Sequence, residues 1–61
     1  MPIVQIDMLE GRTVDQRREL VKRVTEAISE SANCPPSAVT IIIREMDKEH
    51  LGQGGVLRAD Q

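Results

Sequence analysis

Val4, Ile6 and Met8 alternate with Gln5 and Asp7 near the head of the chain, the period-two pattern of a β-strand with one face more buried than the other. Ile3 and Leu9 break the alternation, so the second face is expected to be covered at its ends as well. Glu10-Gly11-Arg12 reads as a turn. Thr13 followed by Gln16 is a capping-box signature, which predicts a helix from about Val14 to about Ser31. Within that span Leu20, Val21, Val24, Ala27 and Ile28 fall on one stripe, while Glu19 with Arg23 and Lys22 with Glu26 form outward pairs four apart. Asn33 suits the left-handed conformation that closes a helix, and Cys34-Pro35-Pro36 cannot prolong one.

The run Val39 to Met46 is rich in β-branched residues and flanked by turn formers, as expected of a strand covered on both faces. Strand, helix, strand is a βαβ unit: two parallel strands, a right-handed crossover and the helix on one face of the sheet. Two strands leave the opposite face bare. That face carries part of the Ile41–Ile43 run, so neighbouring subunits are expected to cover it together with the strand edges. Gly52-Gln53-Gly54-Gly55 and then Val56-Leu57 read as a loop and a short hairpin reaching over a subunit boundary. Its spacing, and the lack of a following Lys-Ser/Thr, exclude a P-loop.

Size sharpens the argument for assembly. A chain of 61 residues allows one domain, spanning 1–61, and domains this small usually need a staple. Cys34 is the single cysteine and can form no intrachain bridge; a lone thiol with no secretory segment fits a reducing cytoplasm. His50 is the single histidine, with no second His or Cys at ligand spacing, so no metal and no cofactor is expected. Self-association is the remaining route to a core. No stretch approaches the length of a membrane span, and no targeting pattern opens the chain. A net charge of -2 and the absence of Phe, Tyr and Trp argue against nucleic acid as a partner.

The residue after Met1 is proline, and removal of the methionine would place a secondary amine at the head of the first strand. The ring holds the nitrogen lone pair in a fixed direction. Taken alone, a proline at this position is also what a chain with a readily trimmed methionine commonly shows. The wider pattern decides between the two. Pro2-Ile3-Val4-Gln5-Ile6, Leu9-Glu10-Gly11-Arg12-Thr13, Val24-Thr25-Glu26-Ala27-Ile28, Ile42-Ile43-Arg44-Glu45-Met46 and His50-Leu51-Gly52-Gln53-Gly54-Gly55 together resemble the 4-oxalocrotonate tautomerase family over nearly the whole chain.

The resemblance implies a β-α-β subunit with one long helix and a short C-terminal hairpin, assembled as a hexamer (a trimer of dimers) with active sites between subunits. A homohexamer is the expected form. It also implies an isomerase of 2-hydroxy-dienoates such as 2-hydroxymuconate, in the cytoplasmic degradation of aromatic compounds. In that chemistry a proton leaves oxygen and another reaches carbon, and one base, Pro2, can serve both steps. An ordinary α-amino group has a pKa of about 7.7–8.0, so the prolyl amine has to be lowered. An apolar pocket of Ile3, Leu9 and Leu51 and nearby arginine charge act in that direction.

Arg12 has the planar fork that suits a carboxylate, and the corresponding arginine of the family contacts the substrate's carboxylate end. Positive charge beside a helix N-terminus has little structural purpose of its own. Two departures stand out. Thr40 occupies the place of the family's second arginine, which polarises the 2-oxygen, and Leu51 replaces its pocket aromatic. Arg44 shares the face of Thr40 but lies about 13 Å along the strand, and a surface or interface ion pair is expected for it.

Among the other polar residues, Asp47 and Glu49 are expected to be solvated and Cys34 inert. His50 is expected in a loop or interface with no carboxylate to orient it, and Glu10 is expected in water. The resemblance and its departures leave two further readings open. One is a hydratase or dehalogenase of unsaturated acids, disfavoured by Gln53 where an acid that activates water would stand. The other is a non-catalytic subunit of a mixed hexamer, in which a second chain supplies the missing arginine.

Overall fold

A computed structural model describes residues 1–61. Strand β1 (Ile3–Leu9) leads through a short turn into helix α1 (Val14–Ala32), and a 3₁₀ turn over Pro36–Ala38 precedes strand β2 (Thr40–Met46). A second 3₁₀ turn at Lys48–His50 opens onto a hairpin of β3 (Gly52–Gln53) and β4 (Val56–Leu57), and a third over Arg58–Asp60 ends the chain. Strands β1 and β2 pair in parallel with Ile3 opposite Thr40 and Leu9 opposite Met46, while β3 and β4 pair antiparallel. The βαβ unit and the C-terminal hairpin expected from the residue pattern are both present.

Local chemistry explains the boundaries. Gly11 turns the chain out of β1 at φ +116°, a conformation that side chains with a Cβ rarely adopt. Thr13 then caps α1: its Oγ1 accepts from the Gln16 amide at 3.1 Å, and the Gln16 side chain accepts from the Thr13 amide at 2.9 Å. At the other end Asn33 takes φ 55°, and its own amide and that of Cys34 both donate to the Ser29 carbonyl.

Leu20, Val24 and Ile28 are half-buried on the face of α1 toward the sheet, which meets them with Val4, Ile6, Met8, Ile41 and Ile43. Val21 and Ala27, expected in the same stripe, lie at its margins and are exposed, because a two-stranded sheet is too narrow to cover them. Outward pairing is also narrower than the spacing suggests. Glu19 and Arg23 join at 2.7 Å, and the Arg23 guanidinium holds the Glu19 carboxyl below its usual range; Lys22 and Glu26 form no ion pair.

The opposite face of the sheet presents Ile3, Gln5 and Asp7 beside Thr40, Ile42 and Arg44, all exposed. No residue of the 61 is fully buried. The molecule measures 43 × 24 × 13 Å. Its length exceeds both α1, about 28 Å for 19 residues, and the sheet, about 20 Å for seven-residue strands, so the C-terminal hairpin forms an arm beyond them.

Candidate active site

Pro2 stands half-buried immediately before β1, and its carbonyl accepts from the Thr40 amide at 3.0 Å. The parallel ladder therefore runs to the last acceptor before the Pro2 nitrogen, leaving that residue held by β2 on one side and by its own ring on the other. Met1 projects beyond it at 89% exposure. Ile3 and Thr40 are register partners on the open face. Pro2, Ile3 and Thr40 thus form one cluster, at the leading end of the sheet.

The remaining expected site residues lie at the trailing end. Leu9 closes β1, and Arg12 follows the Gly11 turn, exposed and with no ion pair in its own subunit. Leu51 is half-buried at the root of the arm, where its carbonyl accepts from the Arg58 amide at 2.7 Å, and Gln53 is exposed on the arm opposite Val56. Seven strand residues, about 20 Å, separate the two clusters. Pro2 and Arg12 of one chain cannot hold the two ends of one small acid. The apolar pocket of Ile3, Leu9 and Leu51 likewise does not close within one subunit, where Ile3 remains 57% exposed.

A concavity of about 580 Å³ does exist in the single chain, lined by Glu10, Gly11, Asp47, Lys48, Glu49 and Ala59. It lies at the trailing end, far from Pro2, and three carboxylates against one ammonium make it repellent to an anionic substrate. No group of three or more His, Cys, Asp or Glu is placed to hold a metal ion.

Two polar residues, Asp47 and His50, depart from their expected roles. Asp47 is half-buried rather than solvated: its Oδ1 accepts from the Glu49 amide at 2.8 Å and lies 3.2 Å from His50 Nδ1. His50 therefore does have an orienting carboxylate, supplied by the 3₁₀ turn that brings positions three apart together. Arg44 makes no ion pair within the subunit, although Asp7 is its register partner. Glu10 is exposed, as expected, and does not engage Arg12.

A contact outside the expected set joins Arg17 on α1 to Glu45 on β2, both partly covered, tying helix to sheet. Its signal was available, since Arg17 precedes Leu20 by three and so shares the apolar stripe, while Glu45 continues the alternation of Ile41 and Ile43.

A family profile described as "Tautomerase enzyme" matches residues 2–61. A probable tautomerase of Halalkalibacterium halodurans is 44% identical over 61 residues, covering both chains in full. A 2-hydroxymuconate tautomerase of Pseudomonas putida is 51% identical over 57 residues, covering 93% of this chain and 90% of that protein. Among solved structures, a heterohexamer 4-oxalocrotonate tautomerase from Chloroflexus aurantiacus superposes with a TM-score of 0.94 at 33% identity, covering 98% of this chain and 97% of its own.

Proposed function

This chain belongs to the tautomerase family, and from that premise we propose that it is an isomerase of small 2-hydroxy-dienoates such as 2-hydroxymuconate, with the Pro2 nitrogen as its base. The carrying observation is the seating of Pro2. It is fixed at the head of β1 by the Thr40 amide, and a single exposed residue separates its nitrogen from being the chain terminus.

With Met1 removed, the free amine accepts the proton of the substrate's 2-hydroxyl. The C2–O bond becomes a carbonyl, the double bonds shift, and the same nitrogen returns a proton to the distal carbon of the dienol. Arg12 of a neighbouring copy grips a carboxylate, because its own chain holds it about 20 Å from Pro2. Ile3, Leu9 and Leu51 supply apolar walls once copies meet, and Thr40 and Gln53 offer neutral donors at the rim. The reading thus includes self-association, with a homohexamer as its form. A cytoplasmic place in aromatic-compound breakdown fits the same substrate class.

The test is the pH dependence of 2-hydroxymuconate ketonisation by the trimmed protein. We expect activity to rise through one ionisation below the ordinary α-amino range, and Pro2→Ala to lower kcat by about 10²–10⁴. Full activity in Pro2→Ala, or in protein shown by intact mass to retain Met1, overturns the assignment.

Thr40 favours a second reading, a mixed hexamer in which another chain provides the cation that Thr40 lacks; the Chloroflexus relative is a heterohexamer. Kinetic competence of this chain expressed alone decides against it.

A further inference from the structure

The open face of the sheet has a charge pattern that its apolar content does not explain. Ile3 and Ile42 are 57% and 39% exposed there, as expected of a surface awaiting cover. Beside them stand Asp7 and Arg44, both exposed and directly opposed in the β1–β2 register. Neighbouring strands lie about 4.8 Å apart, close enough for these side chains to meet, yet they form no ion pair within the subunit. Gln5 and Thr40, their nearest polar companions on this face, are neutral.

We infer that Asp7 and Arg44 of one copy pair with Arg44 and Asp7 of other copies, making the open sheet face a self-recognising surface whose preferred occupant is this same chain. The inference rests on the self-association contained in the proposed function and names its determinant. Covering Ile3 and Ile42 also takes Asp7 and Arg44 out of water, and an unpaired charge in such a place is strongly unfavourable. One acid and one base per copy make the face self-complementary, so each charge is neutralised when identical copies meet.

The amount of surface agrees. A compact chain of 6.8 kDa exposes about 4,000 Å², whereas this one exposes 4717 Å². The excess is close to one partner's share, about 800 Å², of a standard interface. A foreign subunit lacking the opposed pair would leave both charges unmatched, so the same residues that admit a copy exclude a stranger.

Native mass measurements on full-length protein test this with charge reversals. Arg44→Asp carries two acids on the face and Asp7→Arg carries two bases, and each alone is expected to weaken assembly about 100-fold or more. Mixed or co-expressed, the two variants are expected to assemble with each other, every acid meeting a base across the boundary. An intrasubunit pair gives no such rescue, since each variant remains mismatched within itself. Co-expression keeps the test decisive if either variant folds poorly alone.

Wild-type assembly by both single variants overturns the inference, and so does failure of the mixture to recover it. The readout uses no substrate. An inactive protein with normal charge-dependent assembly therefore sinks the enzyme reading alone, and an active protein whose assembly ignores these charges sinks this inference alone.

Discussion

At the residue scale, what sets Pro2 apart is that its nitrogen is rigidly placed by its own ring while its carbonyl is tied to the Thr40 amide at 3.0 Å. Thr40 therefore supports Pro2, the proposed base, through its backbone and leaves its side chain free to differ. A neutral hydroxyl there offers weaker stabilisation to a developing oxyanion than a cation would. Thr40→Arg is accordingly expected to raise ketonisation of 2-hydroxymuconate, on the order of 10² if the new guanidinium reaches the oxygen, while leaving the Pro2 pH profile in place. An unchanged rate would show that another group already fills that role. Arg12 makes a complementary prediction. It has no partner in its own subunit, so Arg12→Ala should cost little stability, but it should lower kcat/KM by about 10–100-fold, mainly through KM.

At the scale of elements, α1 owes its start to a reciprocal pair of hydrogen bonds between Thr13 and Gln16 rather than to burial. Thr13→Ala should destabilise the protein by about 1 kcal/mol in chemical denaturation, and Asn33→Gly should be neutral or mildly stabilising because φ 55° suits glycine. The Glu19–Arg23 pair works in the other register. Folding lowers the Glu19 carboxyl, so whatever stability the pair gives is present above the ordinary carboxylate range and fades as acid protonates Glu19; being solvent-exposed, it should vanish in high salt. These elements were legible in the chain because their signals are local: Thr13 and Gln16 are three apart, Asn33 precedes two prolines, and Ile41–Ile43 is continuous. The contacts of Arg17 with Glu45 and of Asp47 with His50 were harder to read. The first joins residues far apart in sequence, and the second depends on a 3₁₀ turn whose polar sequence has no apolar period. For the site, residue types could be nominated, but their separation into two clusters emerges only when strand length is converted into distance.

At the scale of the whole molecule, the absence of any fully buried residue governs stability. The radius of gyration is 14.5 Å, against about 10.5 Å for a compact domain of this length, because α1 and the sheet form two thin layers and the hairpin arm extends beyond them. Half-buried Leu20, Val24 and Ile28 on one layer face half-buried Val4, Ile6, Ile41 and Ile43 on the other, each retaining contact with water that a third layer would remove. In the proposed assembly such a chain gains its core by association, and folding and assembly then become one equilibrium. The thermal midpoint should then depend on concentration: tenfold dilution is expected to lower it by about 5 °C, since mass action withdraws roughly 1 kcal/mol per subunit from a small domain. Calorimetry across a hundredfold concentration range checks this. A midpoint indifferent to dilution would mean that the subunit folds on the strength of its two thin layers alone, and the composite site joining Pro2 of one copy to Arg12 of another would lose its physical basis.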